Sequence, residues 1–330
     1  MKVSLAPSFR PVKAEGTQIA GAPLLEEGGP RVVLGWSPGD VATPLSPAAA
    51  SLFGPRGVCL HPDGTLWVAD TGHHRLLGWR KIPQSDNEPA DILIGQPSFC
   101  REGRNAKGPP GPATLNVPTG LCAWRGGLAV ADAWNHRVLI WREVPTGNGQ
   151  PADLVLGQHD FSTRDENAGG EVTAMSMRWP HGACWWNGHL ALADSGNNRV
   201  MLWRGFPEHN GSPCDAILGQ RDAAHCDHNM SSYYPSAASV NMPYATVEAG
   251  GQLIVADTAN SRLLGWADSA TGIAANQLCG QPDFASKGDN RWGMPERDSL
   301  CWPYGLSALG DLVAVADSGN NRVLLWNLAR

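Results

Sequence analysis

Five residues of four chemical types occupy one position of a repeated sequence unit, directly after the proline that begins each unit. A guanidinium, an imidazole, a hydroxyl and two phenols at this position offer several hydrogen-bond donors and one group that titrates near neutral pH. Such a set suits an acidic or polar ligand. Because scaffold positions repeat and this one varies, we predict a ligand-binding site built from these mouth residues. They are Arg56, Thr119, His181, Tyr244 and Tyr304.

Four further residues extend this predicted site. Trp179 and Trp302 directly precede two of the initial prolines, and His73 and Trp134 lie in polar turns expected on the same face. Tyrosine, tryptophan and arginine are the residue types that most often anchor recognition. The alternative is that the aromatic side chains only fix long loops to the body of the protein.

The densest group of potential metal ligands is the string HCDH, which contains His225, Cys226 and His228. It lies in one long loop, whereas zinc sites draw their ligands from separated segments, so these residues are weak metal candidates. We expect no cofactor, with zinc or calcium as the alternative. Three cysteines, Cys59, Cys122 and Cys184, share one position on the first strand, where packing as small hydrophobic residues is the favoured interpretation.

These residues are positioned by a repeat. The segment VADSGNNRVLLW at 315–326 is the last of five similar copies, whose aspartates are 60 to 63 residues apart. An arginine follows each aspartate by five residues, which predicts a charge-assisted hydrogen bond across a tight turn. A fixed period of this size indicates stacked or radially arranged copies of one unit. The aspartates are Asp70, Asp132, Asp194, Asp257 and Asp317.

Each of the first four copies contains four short runs rich in β-branched and aromatic residues, separated by Gly, Pro, Asn and Asp. Such runs predict strands joined by hairpins, and no segment shows a sustained helical period. A second motif, such as LGQHDF at 156–161, marks the end of each fourth run. Four-stranded antiparallel units around an axis make a β-propeller. We predict an all-β protein with a single propeller domain over residues 1–330, containing five clear repeats of about 62 residues.

The number of blades depends on the chain ends. The last repeat stops after its third strand, and an unpaired strand edge is unfavourable. We predict six blades, with a degenerate N-terminal blade within residues 1–36 and a fourth strand for the last blade at Val3–Ala6. In this count PRVVLGW at 30–36 is the third strand of the degenerate blade. The alternative is five blades closed by residues 31–36, aligned on the fourth-strand motif.

Composition excludes several classes of protein. There are 31 acidic and 25 basic residues, a formal net charge of −6, which disfavours nucleic acid as a partner. No stretch approaches the roughly 20 apolar residues of a membrane span, and no export signal is present. We therefore expect a soluble, cytoplasmic protein with no membrane partner. Eight scattered cysteines without a CxxC pair fit reduced thiols.

The two recurring motifs resemble those of NHL-repeat β-propellers, in particular a bacterial branch that reads LGQPDF followed by VADTGNNRV. The resemblance covers roughly residues 50–330. It implies six blades as the usual number and a structural role for the motif residues. The functions it implies are varied: protein or RNA interaction platforms, extracellular sensor domains and a zinc lyase that amidates peptides.

These observations favour a non-catalytic binding or scaffold protein. It would hold a protein partner or a small polar ligand around the axial channel. The site would be on the long-loop face, which is the face that carries the long loops between successive repeats. The alternative is a metal- or histidine-assisted lyase or hydrolase at the same channel mouth, with Arg56, His181, Tyr244 and Tyr304 as the working residues.

Overall fold

The computed structural model describes residues 32–35, 46–267, 274–320 and 322–329 of the chain. Within them the chain forms five antiparallel sheets, four with four strands and one with three. The helical elements among these residues are short 3₁₀ turns, and none is long and apolar enough to cross a membrane. The protein is therefore an all-β propeller of five blades, the alternative count considered from the sequence.

Each blade takes its strands from consecutive segments, innermost first. Blade 1 contains β1 (Gly57–Leu60), β2 (Leu66–Asp70), β3 (Arg75–Trp79) and β4 (Ile92–Ile94). Blade 2 contains β5 (Pro118–Trp124), β6 (Gly127–Asp132), β7 (Arg137–Trp141) and β8 (Leu154–Leu156). Blade 3 contains β9 (Pro180–Trp186), β10 (His189–Asp194), β11 (Arg199–Arg204) and β12 (Ala216–Leu218). Blade 4 contains β13 (Pro243–Ala249), β14 (Gln252–Asp257), β15 (Arg262–Trp266) and β16 (Gln277–Cys279). Blade 5 contains β17 (Pro303–Leu309), β18 (Leu312–Asp317) and β19 (Arg322–Asn327).

Two sets of 3₁₀ turns connect these strands. One set joins the second strand of each blade to the third: Thr71–His73, Ala133–Asn135, Ser195–Asn197, Thr258–Asn260 and Ser318–Asn320. The other set lies in the long loops between blades: Arg104–Lys107, Glu166–Gly169, His228–Ser231 and Asp289–Trp292.

A buried aspartate at the end of each second strand connects three parts of its blade. In blade 2, Asp132 Oδ2 accepts hydrogen bonds from Arg137 Nε at 2.8 Å and from Asn135 Nδ2 at 2.7 Å. Its Oδ1 accepts from the backbone N–H of Asn116 at 2.6 Å. The charge-assisted bond predicted across the hairpin is thus confirmed. The same contacts recur around Asp194, Asp257 and Asp317.

The arginine of each pair also holds two loops. Arg137 is fully buried, and its Nη1 donates to the Phe161 carbonyl, which follows the fourth strand of its own blade, at 2.7 Å. Its Nη2 donates to the carbonyls of Gly111 and Thr114, in the long loop before the blade, at 3.0 and 2.9 Å. One side chain therefore satisfies three loop carbonyls that would otherwise be costly to bury.

The repeated glutamine and asparagine of the long loops are structural as well. Gln158 Nε2 donates to the His136 carbonyl at 3.2 Å and to the Asp165 carbonyl at 2.8 Å. Asn105 and Asn135 exchange two amide hydrogen bonds, at 3.1 and 2.7 Å. The second recurring motif is therefore explained by contacts that fold the long loop onto the strand 2–3 turn.

Buried apolar side chains fill the interfaces between neighbouring blades. Leu76 and Ile94 of blade 1, for example, share one cluster with Leu128 and Trp141 of blade 2. All eight cysteines are free. Cys59, Cys122 and Cys184 are each no more than 9% exposed and belong to three successive interface clusters, so their predicted packing role is confirmed.

Glycine follows the mouth residue where the innermost strands come closest together. A Cβ atom at Gly57 would lie 1.9 Å from the Thr119 carbonyl oxygen, and one at Gly120 would lie 2.1 Å from the His181 carbonyl oxygen. Among the described residues, a Cβ at Gly305 of blade 5 would meet only Ala316 of its own blade, at 3.3 Å. Within this part of the chain, the innermost strand of blade 5 is therefore less tightly packed at this position than those of blades 1 and 2.

Residues 32–35 lie beside blade 1 in the position of a fourth strand. The Val33 N–H donates to Asp86 Oδ1 at 2.7 Å, and the Val33 carbonyl accepts from the Asn87 N–H at 2.9 Å. Leu93 of β4 makes the same two kinds of contact with the corresponding loop of blade 2. This equivalence supports the five-blade alternative, in which residues 31–36 align with the fourth-strand motif.

The six-blade prediction assigned part of the same segment to a third strand. The contacts of Val33 are those of a fourth strand, so that assignment is not what the structure shows. The strand expected at Val3–Ala6, and the rest of the degenerate blade expected within residues 1–36, lie outside the described residues.

The loss of stability on replacing one of these arginines should be larger when its side chain is more deeply buried. We expect Arg137→Met to lower the free energy of unfolding by about 3–5 kcal/mol, because Asp132 is then left as an unpaired buried charge. Arg322→Met should cost less, because the Arg322 side chain is 25% exposed. Chemical denaturation of both variants measures the difference, and equal losses would show that burial does not set the cost.

Candidate functional site

A turn with unusual backbone geometry precedes every mouth residue. The residue before each initial proline has a positive φ angle, between 49° and 58°, in all five blades. This region favours glycine, and a residue before proline normally adopts extended backbone. Only blade 1 uses glycine. The five residues are Gly54, Val117, Trp179, Met242 and Trp302.

Side chains from the preceding blade hold this turn. The Trp179 N–H donates to His136 Nδ1 at 3.1 Å, and the Trp302 N–H donates to Ser261 Oγ at 3.2 Å. Burial lowers the pKa of His136, which keeps Nδ1 unprotonated and able to accept. The turn therefore fixes each mouth residue relative to the neighbouring blade as well as to its own.

The five mouth residues line one axial cavity of about 1120 Å³. Trp134, Trp179 and His136 also line it, as do apolar side chains such as Leu121 and Leu306. Trp302 does not line the cavity directly but stacks on Tyr304, with ring centroids 6.2 Å apart. The structure thus brings together eight of the nine residues predicted for the site.

His73 is the exception. It is 1% exposed, and its Nδ1 lies 2.8 Å from Asp70 Oδ2, where the other blades place an asparagine amide. It does not line the cavity. His73 therefore replaces a structural asparagine. His136, which was not among the residues predicted for the site, does line the cavity, and it lies directly after the turn that carries Trp134.

The aromatic mouth residues form a continuous arc. The His181 and Tyr244 ring centroids are 4.5 Å apart at an interplanar angle of 75°, and those of Tyr244 and Tyr304 are 4.8 Å apart at 61°. Such edge-to-face contacts are favourable for aromatic pairs. Burial raises the pKa of the Tyr244 phenol, so it stays protonated and can donate a hydrogen bond.

His181 is neutral at physiological pH. Burial lowers the pKa of its imidazole to about 4, and the nearby Arg56 acts in the same direction. Its Nδ1 lies 2.8 Å from the Trp179 carbonyl oxygen. A carbonyl only accepts, so Nδ1 carries the proton and Nε2 is left as a hydrogen-bond acceptor.

Thr119 lines the cavity but its hydroxyl is already used. It is 3% exposed, and Oγ1 donates toward the carbonyls of Pro180 and His181, at 3.3 and 3.4 Å. Its contribution is to join blades 2 and 3. The chemistry of the cavity therefore depends on the other four mouth residues.

Two arginines lie over the tryptophans of the cavity. The Arg104 guanidinium carbon is 4.6 Å from the centre of the Trp134 ring, and that of Arg178 is 4.7 Å from the centre of the Trp179 ring. Arg178 also pairs with Glu166 at 3.1 Å. These cation–π contacts hold the indoles in place.

The weak metal candidates are not arranged as a ligand set. His225 Nδ1 bonds to Asp222 Oδ1 at 2.7 Å, and the Cys226 carbonyl accepts from Asn198. In the part of the chain that the structure describes, no three His, Cys, Asp or Glu side chains, His228 included, are grouped to hold a metal ion.

A second, smaller cavity of about 250 Å³ lies between the long loops that precede blade 4 and blade 5. It is lined by the exposed rings of Tyr233, Tyr234 and Trp292, with Lys287 Nζ 3.7 Å from the centre of the Tyr233 ring. These long-loop aromatic residues therefore do not join the axial cavity.

The NHL-repeat family model matches the chain at residues 54–79 and 115–141, which are in blades 1 and 2. The chain thus carries NHL repeats at these two segments of a β-propeller, in agreement with the resemblance. The match does not identify the particular bacterial branch. No curated protein matches the sequence.

Several solved structures are similar to this chain at a low level. Virginiamycin B lyase from Staphylococcus aureus is 9% identical, with 84% of this chain and 71% of that chain covered and a TM-score of 0.41. Glutaminyl cyclase from Myxococcus xanthus is 14% identical, with 86% and 94% covered and a TM-score of 0.42. A nidogen/laminin complex is 9% identical, with 83% and 76% covered and a TM-score of 0.44. Likenesses this low say nothing about what this chain binds.

The lowered pKa of His181 should make the protein less stable in mild acid. The unfolded chain takes up a proton near pH 6.5, its ordinary value, and the folded chain only near pH 4. The stabilising contribution is therefore complete above pH 6.5 and is lost as the pH falls toward 4. We expect His181→Gln to lose less stability than the parent between pH 7 and pH 4.5. An NMR titration of the imidazole with a midpoint near 6.5 would contradict this.

Proposed function

We propose that this propeller is a non-catalytic binding protein that holds a small polar ligand in its axial cavity, on the long-loop face. A protein partner that inserts a side chain or chain end there would use the same contacts. The NHL-type blades provide a rigid frame, and the mouth residues recognise the ligand.

One observation carries the proposal. Residues that differ from blade to blade line one cavity, while the residues that recur are used in hydrogen bonds and packing within and between blades. A repeated frame with a variable, partly aromatic lining is the arrangement expected of a binding site. Its volume of about 1120 Å³ can contain an organic ligand or a chain end.

The electrostatics support binding over catalysis. A histidine with a pKa of about 4 is a weak general base at neutral pH, because an effective base has a pKa near the working pH. In the part of the chain that the structure describes, no carboxylate lines the cavity to orient this imidazole or to hold a metal ion. The lyase or hydrolase alternative therefore has less support from the lining.

The cavity can be tested by removing two of its rings. We expect His181→Ala and Tyr304→Ala to abolish binding of fragments detected by ligand-observed NMR from a chemically diverse library. Tyr304 is 43% exposed and lies at the cavity edge, so its replacement should change the melting temperature little. His181 is more enclosed and serves as the second, independent position.

Matched controls lie on the long loops. His225 and Tyr234 are of the same two residue types and do not line the axial cavity. Tyr234 is exposed, and the His225 side chain is 44% exposed. His225→Ala and Tyr234→Ala should leave fragment binding in the cavity unchanged. If the cavity variants lose several degrees of melting temperature together with binding, these residues have a packing role and the site proposal fails.

A further inference from the structure

Among the residues that the structure describes, the lining of the axial cavity has one formal charge at neutral pH. Arg56 carries it, since His181 is neutral and none of the described lining residues is an aspartate or a glutamate. The Arg56 side chain is exposed and makes no hydrogen bond or ion pair with the residues that the structure describes. An unpaired guanidinium beside apolar walls favours an anion, and carboxylates fit its two-pronged geometry.

The arginines near the opening do not add a net positive charge. Arg104 and Arg178 lie over Trp134 and Trp179, and Glu166 pairs with Arg178. Asp165 and Glu102 also lie close enough to affect the neighbouring histidines, so attraction of an anion depends on Arg56 inside the cavity.

The second polar group that a ligand can contact in the cavity is His181 Nε2, and it can only accept a hydrogen bond. His181 Nδ1 is bonded to the Trp179 carbonyl, so Nε2 is an unprotonated acceptor. Within the described ranges no side chain or backbone group donates to Nε2. A bare carboxylate would be repelled there, whereas a hydroxyl group would complete the hydrogen bond.

The remaining lining suits an apolar body. The arc of His181, Tyr244 and Tyr304 presents ring edges and faces, and Leu121 and Leu306 lie among the apolar side chains of the wall. Aromatic and aliphatic groups bury favourably against such a surface.

We propose that the cavity binds a hydroxy carboxylic acid with an aromatic or aliphatic body. Its carboxylate pairs with the Arg56 guanidinium, its hydroxyl donates to His181 Nε2, and its body packs against Tyr244 and Tyr304. This assignment rests on the proposed binding function and specifies the ligand class for the same site.

Three probes that differ by one group test the assignment: 3-phenyllactate, 3-phenylpropanoate, which lacks the hydroxyl, and 3-phenyllactamide, which lacks the charge. Isothermal titration calorimetry at pH 7 and low salt should show 3-phenyllactate binding about 10-fold or more tightly than either of the others. The expected order follows from one charged and one neutral hydrogen bond.

Two variants assign each group to its partner. Arg56→Gln should reduce the affinity for 3-phenyllactate to about that for the amide and leave the amide unchanged. His181→Phe keeps an aromatic ring but removes the acceptor. It should reduce the affinity for 3-phenyllactate to about the affinity for 3-phenylpropanoate. His181→Gln, whose side-chain oxygen accepts, should restore part of the loss. Arg80→Gln, on an arginine that does not line the cavity, serves as the control.

The possible results distinguish a wrong ligand class from a wrong binding function. If the amide binds as tightly as the acid, and Tyr304→Ala abolishes both, the cavity binds ligands but the anionic class is wrong. If no probe binds at millimolar concentration while library fragments do, the ligand class is also overturned. If the unmodified protein binds neither the probes nor any library fragment, the proposed binding function itself is wrong.

Discussion

The fold depends on a buried carboxylate that accepts three hydrogen bonds from three different segments. Asp132 and its equivalents bond to an arginine, to the asparagine of the strand 2–3 turn and to a backbone N–H just before the initial proline of the same blade. A buried charge is tolerated only when it is paired and its remaining lone pairs are satisfied. Each blade therefore needs the turn, the arginine and the preceding loop in place together, which accounts for the strict recurrence of these residues.

The long loops derive their order from the same contacts. The buried arginine reaches loop carbonyls on both sides of its blade, and the loop asparagine exchanges amide hydrogen bonds with the turn asparagine. Loops of this length are often mobile, yet here they are fixed to strands at both ends. The axial cavity is consequently lined by residues on a well-supported rim.

Much of this could be predicted from the sequence, and the reasons for success and failure are specific. The period located the blades, and the position after proline identified residues that line one cavity. Burial of His73 could not be predicted, because a histidine and an asparagine can make the same bond to Asp70. The pKa of His181 and the free Nε2 depend on the Trp179 carbonyl, which no spacing reveals. The blade count depended on whether Val33 belongs to a third or a fourth strand, and short apolar runs do not distinguish these.

The positive φ angle before each initial proline has a consequence for how such a protein changes over time. The turn is held by a hydrogen bond to its backbone N–H, so its geometry does not depend on which side chain follows the proline. Arginine, threonine, histidine and tyrosine all occupy that place on the same frame. Under the proposed binding function, substitution at the four mouth positions other than Thr119 can therefore alter the ligand preference while the blades keep their fold.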